Sequence, residues 1–133
     1  MLVAGEFSMK RTAGGPLSGL SVLIVEDEFL IAVEAQRIVE EAGAASAWPV
    51  NSVDAARKHL ANQSVDVVIL DMRLGDGDSG GLMAELLACG TPFVIASGLA
   101  MTHSHAAVVV MKPYRDIDLV DAILATMAST RNS

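Results

Sequence analysis

Five positions in this chain carry the residue types needed for phosphoryl chemistry. Glu26 and Asp27, within the run Glu26-Asp27-Glu28, are joined further along by Asp71, Ser97 and Lys112. Carboxylates gathered in one cleft repel one another unless a cation lies between them. Oxygen ligands alone select a hard ion, and Mg2+ keeps part of its water shell and pairs with phosphate. A lysine brings a compact positive charge to phosphate oxygens, and a serine brings a hydroxyl donor. Together these groups suit an aspartate that attacks phosphorus and carries the phosphoryl group as an acyl phosphate. The metal and Lys112 would neutralise charge on the equatorial oxygens.

Each of these groups stands at the end of a short apolar run. Val65-Asp66-Val67-Val68-Ile69-Leu70 leads into Asp71 and is turned away by Met72-Arg73-Leu74-Gly75. Such a run, rich in β-branched residues, reads as a strand buried on both faces. Ser21–Val25 runs into Glu26, Phe93–Ala96 into Ser97-Gly98, and Val108–Met111 into Lys112-Pro113. Ala44–Val50 is weaker, and Trp48 and Pro49 give it edge character.

Helical patterns alternate with these strands. From Phe29 to Ala42, Ile31, Ala35, Ile38 and Ala42 recur at helical spacing, and Gly43 follows as a stop. Asn51 or Ser52 caps a helix reaching Asn62, a third spans about Gly81 to Cys89, and the last opens at Asp116 or Asp118. Its inner face carries Leu119, Val120, Ile123, Leu124 and Met127. Alternation of this kind predicts an α/β domain with a parallel sheet and right-handed crossovers. Five strands fit the flavodoxin-like order 2-1-3-4-5, whose ligands bind at the carboxyl ends of the strands. Glu26, Asp27, Asp71, Ser97 and Lys112 then share one edge.

Composition narrows the function classes. The 133 residues suit one domain, and 52% apolar content suffices for a core. A formal charge of −7 argues against reading a phosphate backbone, so no nucleic-acid partner is expected. No run approaches a membrane span, and a cytoplasmic location is expected. The one cysteine, Cys89, excludes an internal disulfide and is expected to pack as a small hydrophobe. Residues 1–18 lack periodicity and are expected to be a disordered leader; Met9 is a second candidate start, which would make residues 1–8 an expression leader. The domain is then 19–128, with a frayed tail at 129–133. His59 is expected on a wet helix face, and His103 and His105 in a polar loop facing solvent.

The pieces Val22–Glu28, Ile69–Leu74, Phe93–Gly98 and Met111–Tyr114, in order on successive strands, resemble the receiver domains of two-component response regulators over about residues 20–127. The resemblance implies a CheY-like fold and a role for each position. Asp71 would accept a phosphoryl group from a histidine kinase or phosphotransfer protein. Asp27, Asp71 and the Arg73 main-chain carbonyl would ligate Mg2+, with Glu26 acting through a metal-bound water. Ser97 would bond a phosphoryl oxygen, Lys112 would pair with the phosphate, and the bond to Pro113 would be cis. Phosphorylation would switch the face built by the family's fourth helix, which lies between the fourth and fifth strands, the fifth strand and the last helix.

Three features depart from the family pattern. The usual aromatic switch residue, three before the lysine, is Val109, which has no ring to swing. Only ten residues, Gly98 to Ala107, separate Ser97 from Val108, so the helix between the fourth and fifth strands must be shortened or absent. Pro92–Gly98 resembles the subgroup whose motif reads Phe-Ala-Thr-Gly, with Ile and Ser here for Phe and Thr. That subgroup implies a stand-alone receiver served by kinases of the HWE or a related type. Oligomeric state stays open, homodimer included.

The expected function is thus a single-domain signalling module, not an enzyme, that acts by protein contact. One alternative is a phosphatase of the haloacid dehalogenase type, but that chemistry wants a second Asp two residues after the nucleophile, where Arg73 stands. The other is a receiver-like interaction domain without phosphorylation, to which Val109 and the short connection lend support.

Overall fold

A computed structural model describes residues 14–74, 79–98 and 108–131. Five strands form one sheet in the order β2-β1-β3-β4-β5. They are β1 (Ser21–Val25), β2 (Ser46–Val50), β3 (Val67–Asp71), β4 (Phe93–Ser97) and β5 (Val108–Met111), and every pairing is parallel. The described helices are α1 (Phe29–Glu41), α2 (Val53–Asn62), α3 (Ser79–Cys89) and α4 (Asp116–Arg131). The expected doubly wound arrangement is therefore present. The expected shortening between β4 and β5 falls on 99–107, outside the described residues.

The strand period of two sorts the core into two layers. Val22, Ile24, Val67, Ile69, Val94 and Ala96 face one side and pack with Ala35, Ile38 and Val39 of α1 and Leu119, Ala122 and Ile123 of α4. Leu23, Val25, Val68, Leu70, Phe93 and Ile95 face the other and pack with Val53 and Ala56 of α2 and Leu82 and Leu86 of α3. β1, β3 and β4 are covered on both faces, which is why their sequences read as near-continuous apolar runs. β5 was expected to be buried like them. As the sheet edge it buries only Val110, and Met111 is half exposed.

Local signals set the helix ends. Gly43 adopts φ 103° after α1, with its N–H on the Glu40 carbonyl and the Ala44 N–H on that of Val39. Ser52, of the two candidates, caps α2 by accepting from Ala55 N–H at 3.0 Å. α3 begins at Ser79, two residues earlier than expected, and α4 runs to Arg131, into the expected tail.

Several expectations are corrected. The folded body starts before residue 19: Leu17 is fully buried, and its N–H donates to the Ala42 carbonyl at 2.8 Å. Gly15 lies so close to that carbonyl that a Cβ would collide with it. His59 is only half on a wet face: its ring lies 5.5 Å from that of half-exposed Trp48, and Nε2 is buried. Cys89 ends α3 exposed, not packed. His103 and His105 lie outside the described residues.

Candidate functional site: an acidic cup at the strand tips

Glu26 follows β1, Asp71 ends β3, Ser97 ends β4 and Lys112 follows β5. Because all strands are parallel, their carboxyl ends share one edge. There Glu26, Asp27 and Asp71 each offer a carboxylate oxygen, all within 4.8 Å of one another. Glu26 and Asp71 are buried and Asp27 is exposed.

Lys112 bridges the two buried acids. Its Nζ lies 3.1 Å from Glu26 Oε1, 3.2 Å from Asp71 Oδ1 and 3.8 Å from Glu28 Oε1. Burial works against its charge, but Glu26 and Asp71 outweigh that and raise its pKa. The Lys112 N–H donates to the Ser97 carbonyl at 2.7 Å, which locks β5 to the end of β4. The peptide bond to Pro113 is cis, as the resemblance implied.

Glu26 is the strained member of the set. Its carboxyl is pushed up from 4.5 to about 7, first by burial and then by the facing Asp71, while the Glu28 N–H and Lys112 pull it back. The Glu28 N–H reaches Glu26 Oε2 at 3.1 Å. Asp71 Oδ1 accepts from Arg73 N–H at 3.0 Å, which places Arg73 beside the acceptor with an exposed side chain. Asp71 Oδ2 is buried and meets no hydrogen-bond donor among the described residues. A buried carboxylate oxygen without a donor, facing two other carboxylates, fits a divalent cation bound by oxygen.

The remaining predicted positions also find their places. Ser97 is buried at the end of β4, one strand from Asp71. Val109 pairs with Ile95 and is half buried against the α2–α3 layer, so no aromatic ring occupies the switch position.

Two further residues lie at the cup: Tyr114, which ends the Met111–Tyr114 piece of the resemblance but was given no role, and Ser79, which was not singled out from sequence. Tyr114 is buried, and its hydroxyl is held well above its ordinary range by burial and then by the charges of Glu26 and Asp71. Ser79 is buried at the start of α3 and donates to the Asp71 main-chain carbonyl at 3.1 Å. A serine opening a helix after a glycine-rich stretch was the available signal.

This fold, with an acidic cup at the carboxyl ends of a parallel sheet of order 2-1-3-4-5, is that of a receiver domain. A family model of the response regulator receiver domain matches residues 22–124, and the chain belongs to that family. The chain is similar to the solution structure of SdrG from Sphingomonas melonis Fr1, with 27% identity, TM-score 0.71, and coverage of 82% of this chain and 97% of that one. It is also similar to a CheY-like receiver domain from Methylobacillus flagellatus, with 24% identity, TM-score 0.72, and coverage of 82% and 99%. A third likeness is to the receiver domain of the Erythrobacter litoralis PhyR response regulator, with 23% identity, TM-score 0.68, and coverage of 83% and 91%. No curated protein sequence matches the chain. No described helix is long and apolar enough to cross a membrane.

Proposed function

We propose that this receiver domain takes a phosphoryl group onto Asp71 in a Mg2+-dependent reaction and signals through protein contact. The observation that carries the reading is Asp71 itself. One oxygen is held by Arg73 N–H and Lys112, while the other is buried beside Glu26 and Asp27 and meets no donor among the described residues. The carboxylate is thereby oriented but left with an oxygen to offer. Asp27 and Asp71, with the Arg73 main-chain carbonyl, would hold the cation directly, and Glu26 would hold it through water. When bound, Mg2+ supplies positive charge against which a phosphoryl group can dock. Lys112 would exchange its carboxylate partners for a phosphoryl oxygen, and Ser97 would donate to another.

The donor would be a histidine kinase, of the HWE type on the subgroup resemblance, or a phosphotransfer protein. The domain is then a phosphoacceptor that holds its group, not an enzyme that turns over, and it works in the cytoplasm. Incubation with acetyl phosphate and Mg2+ tests this. Intact mass should rise by one phosphoryl group per chain, Asp71→Asn should abolish the gain, and EDTA should prevent it. Label surviving in Asp71→Asn, or continuous release of phosphate well above one equivalent, would overturn the reading.

A further inference from the structure

The carbonyl that ends β3 takes a donor from outside the sheet. The Met72 N–H donates to the Ala96 carbonyl of β4 at 3.2 Å. The peptide joining Asp71 to Met72 is trans, so the Asp71 carbonyl points the opposite way, toward β1. β1 has already ended there, because its last residue, Val25, pairs with Leu70. A buried carbonyl in that position needs a donor from elsewhere. The Ser79 hydroxyl supplies it at 3.1 Å, from a side chain itself almost fully withdrawn from solvent.

We propose that Ser79 is a positioning residue for the phosphoacceptor: by pinning the Asp71 carbonyl to the start of α3, it orients the Asp71 carboxylate for attack on phosphorus. This rests on the reading of Asp71 as the acceptor and adds a group which that reading does not use. The same peptide unit leads into Met72 and Arg73, and the Arg73 N–H holds Asp71 Oδ1 at 3.0 Å. Rotation of the 71–72 peptide would therefore move that N–H as well. Oδ1 is also the oxygen facing Lys112, so its loss from register would misplace the other oxygen too. Leu74 and Leu82 are both buried in the α2–α3 layer, so α3 remains anchored without Ser79. The serine's contribution is thus orientation of the strand end, separable from packing of the helix. In the transfer, an Asp71 oxygen forms a bond to phosphorus as the bond from phosphorus to the acetate oxygen of acetyl phosphate breaks, and acetate leaves with the electron pair. Because attack needs an aligned nucleophile, a small misplacement costs much in rate.

The test compares wild type, Ser79→Ala and Ser79→Thr. Single-turnover phosphorylation by acetyl phosphate in saturating Mg2+ should slow about tenfold in Ser79→Ala at saturating donor, with the half-saturating donor concentration little changed. Ser79→Thr, which keeps the hydroxyl, should stay within about threefold of wild type. Independently of phosphorylation, the Arg73 amide resonance should shift in Ser79→Ala and be restored in Ser79→Thr. An unmoved Arg73 amide in folded Ser79→Ala would sink the proposal, as would equal slowing in both variants. If wild type takes no label while the Arg73 amide still shifts in Ser79→Ala and is restored in Ser79→Thr, the phosphoacceptor reading is refuted and the positioning role stands.

Discussion

The Lys112 ammonium lies 3.2 Å from Asp71 Oδ1, and both side chains are almost completely buried. Glu26 completes the group at 3.1 Å, so one buried cation faces two buried acids. The cup therefore carries an excess of negative charge in a place water barely reaches. That excess is what would favour a bound cation there, and it is also a source of instability.

Removing Lys112 should expose that instability. Taking one partner from a buried ion pair costs about 3–5 kcal/mol. Lys112→Ala should thus lose about 3 kcal/mol in urea denaturation at pH 8 without divalent ions. The deficit should shrink at pH 5, where Glu26 can hold a proton, and Mg2+ should restore part of it. An equal deficit at both pH values would mean that charge plays no part.

The raised carboxyl of Glu26 gives a second handle. Its pKa is about 7 folded against 4.5 ordinarily, so between those values the folded metal-free protein holds a proton that the unfolded chain has released. Stability from this group is fully present below about pH 4.5 and is lost as pH rises through about 7. A cation must displace the same proton. Mg2+ affinity should therefore increase with pH up to about 7 and level off above it, with proton release on binding near pH 6. Isothermal titration in buffers of different ionisation heat checks this. Glu26→Gln should flatten the dependence, and Asp71→Asn should move the Glu26 transition downward by removing its facing charge.

Arg37 links α1 to the start of α4 through Asp116 at 3.0 Å, while also reaching Glu34 at 2.6 Å and Glu41 at 2.8 Å. These contacts lie at the surface, where ion pairs are screened by salt. Arg37→Ala should lower Tm slightly in dilute buffer, and the difference should vanish near about 1 M NaCl. A deficit unchanged by salt would assign Arg37 a packing role through its aliphatic stem instead.

Most of the fold was legible because the sheet interior writes a strong pattern. The run ending at Leu70 and the run ending at Val25 admit little but buried strands, and their acids fall at the edge where a parallel sheet gathers them. Pro49 marked β2 as an edge, which it is. Val110 and its neighbours look just as buried in sequence, yet β5 is the other edge, because neighbour number is a property of topology that a run of valines does not record. Ser79 escaped notice for a related reason. A small polar residue among glycines has no period, and its value comes only from the Asp71 carbonyl eight residues back. His59 likewise follows charged Arg57 and Lys58, but Trp48 on the neighbouring edge strand covers its ring.

Leu17 is the clearest case of local composition misleading, and it carries the last prediction. Flanked by Gly14-Gly15-Pro16 and Ser18-Gly19, it looks like part of a loop. In the structure it is fully buried against the α1–α4 layer, with its N–H on Ala42. A buried leucine cut to alanine costs about 2–5 kcal/mol through lost transfer energy and the cavity left behind. Leu17→Ala should thus be one of the more damaging substitutions outside the sheet, and a chain beginning at Gly19 should be destabilised at least as much. Gly15→Ala should also destabilise, because its methyl would press on the Ala42 carbonyl at the end of α1. Urea midpoints of these three variants against wild type decide the matter. A chain from Gly19 as stable as the full one would return the boundary to residue 19 and make the burial of Leu17 incidental.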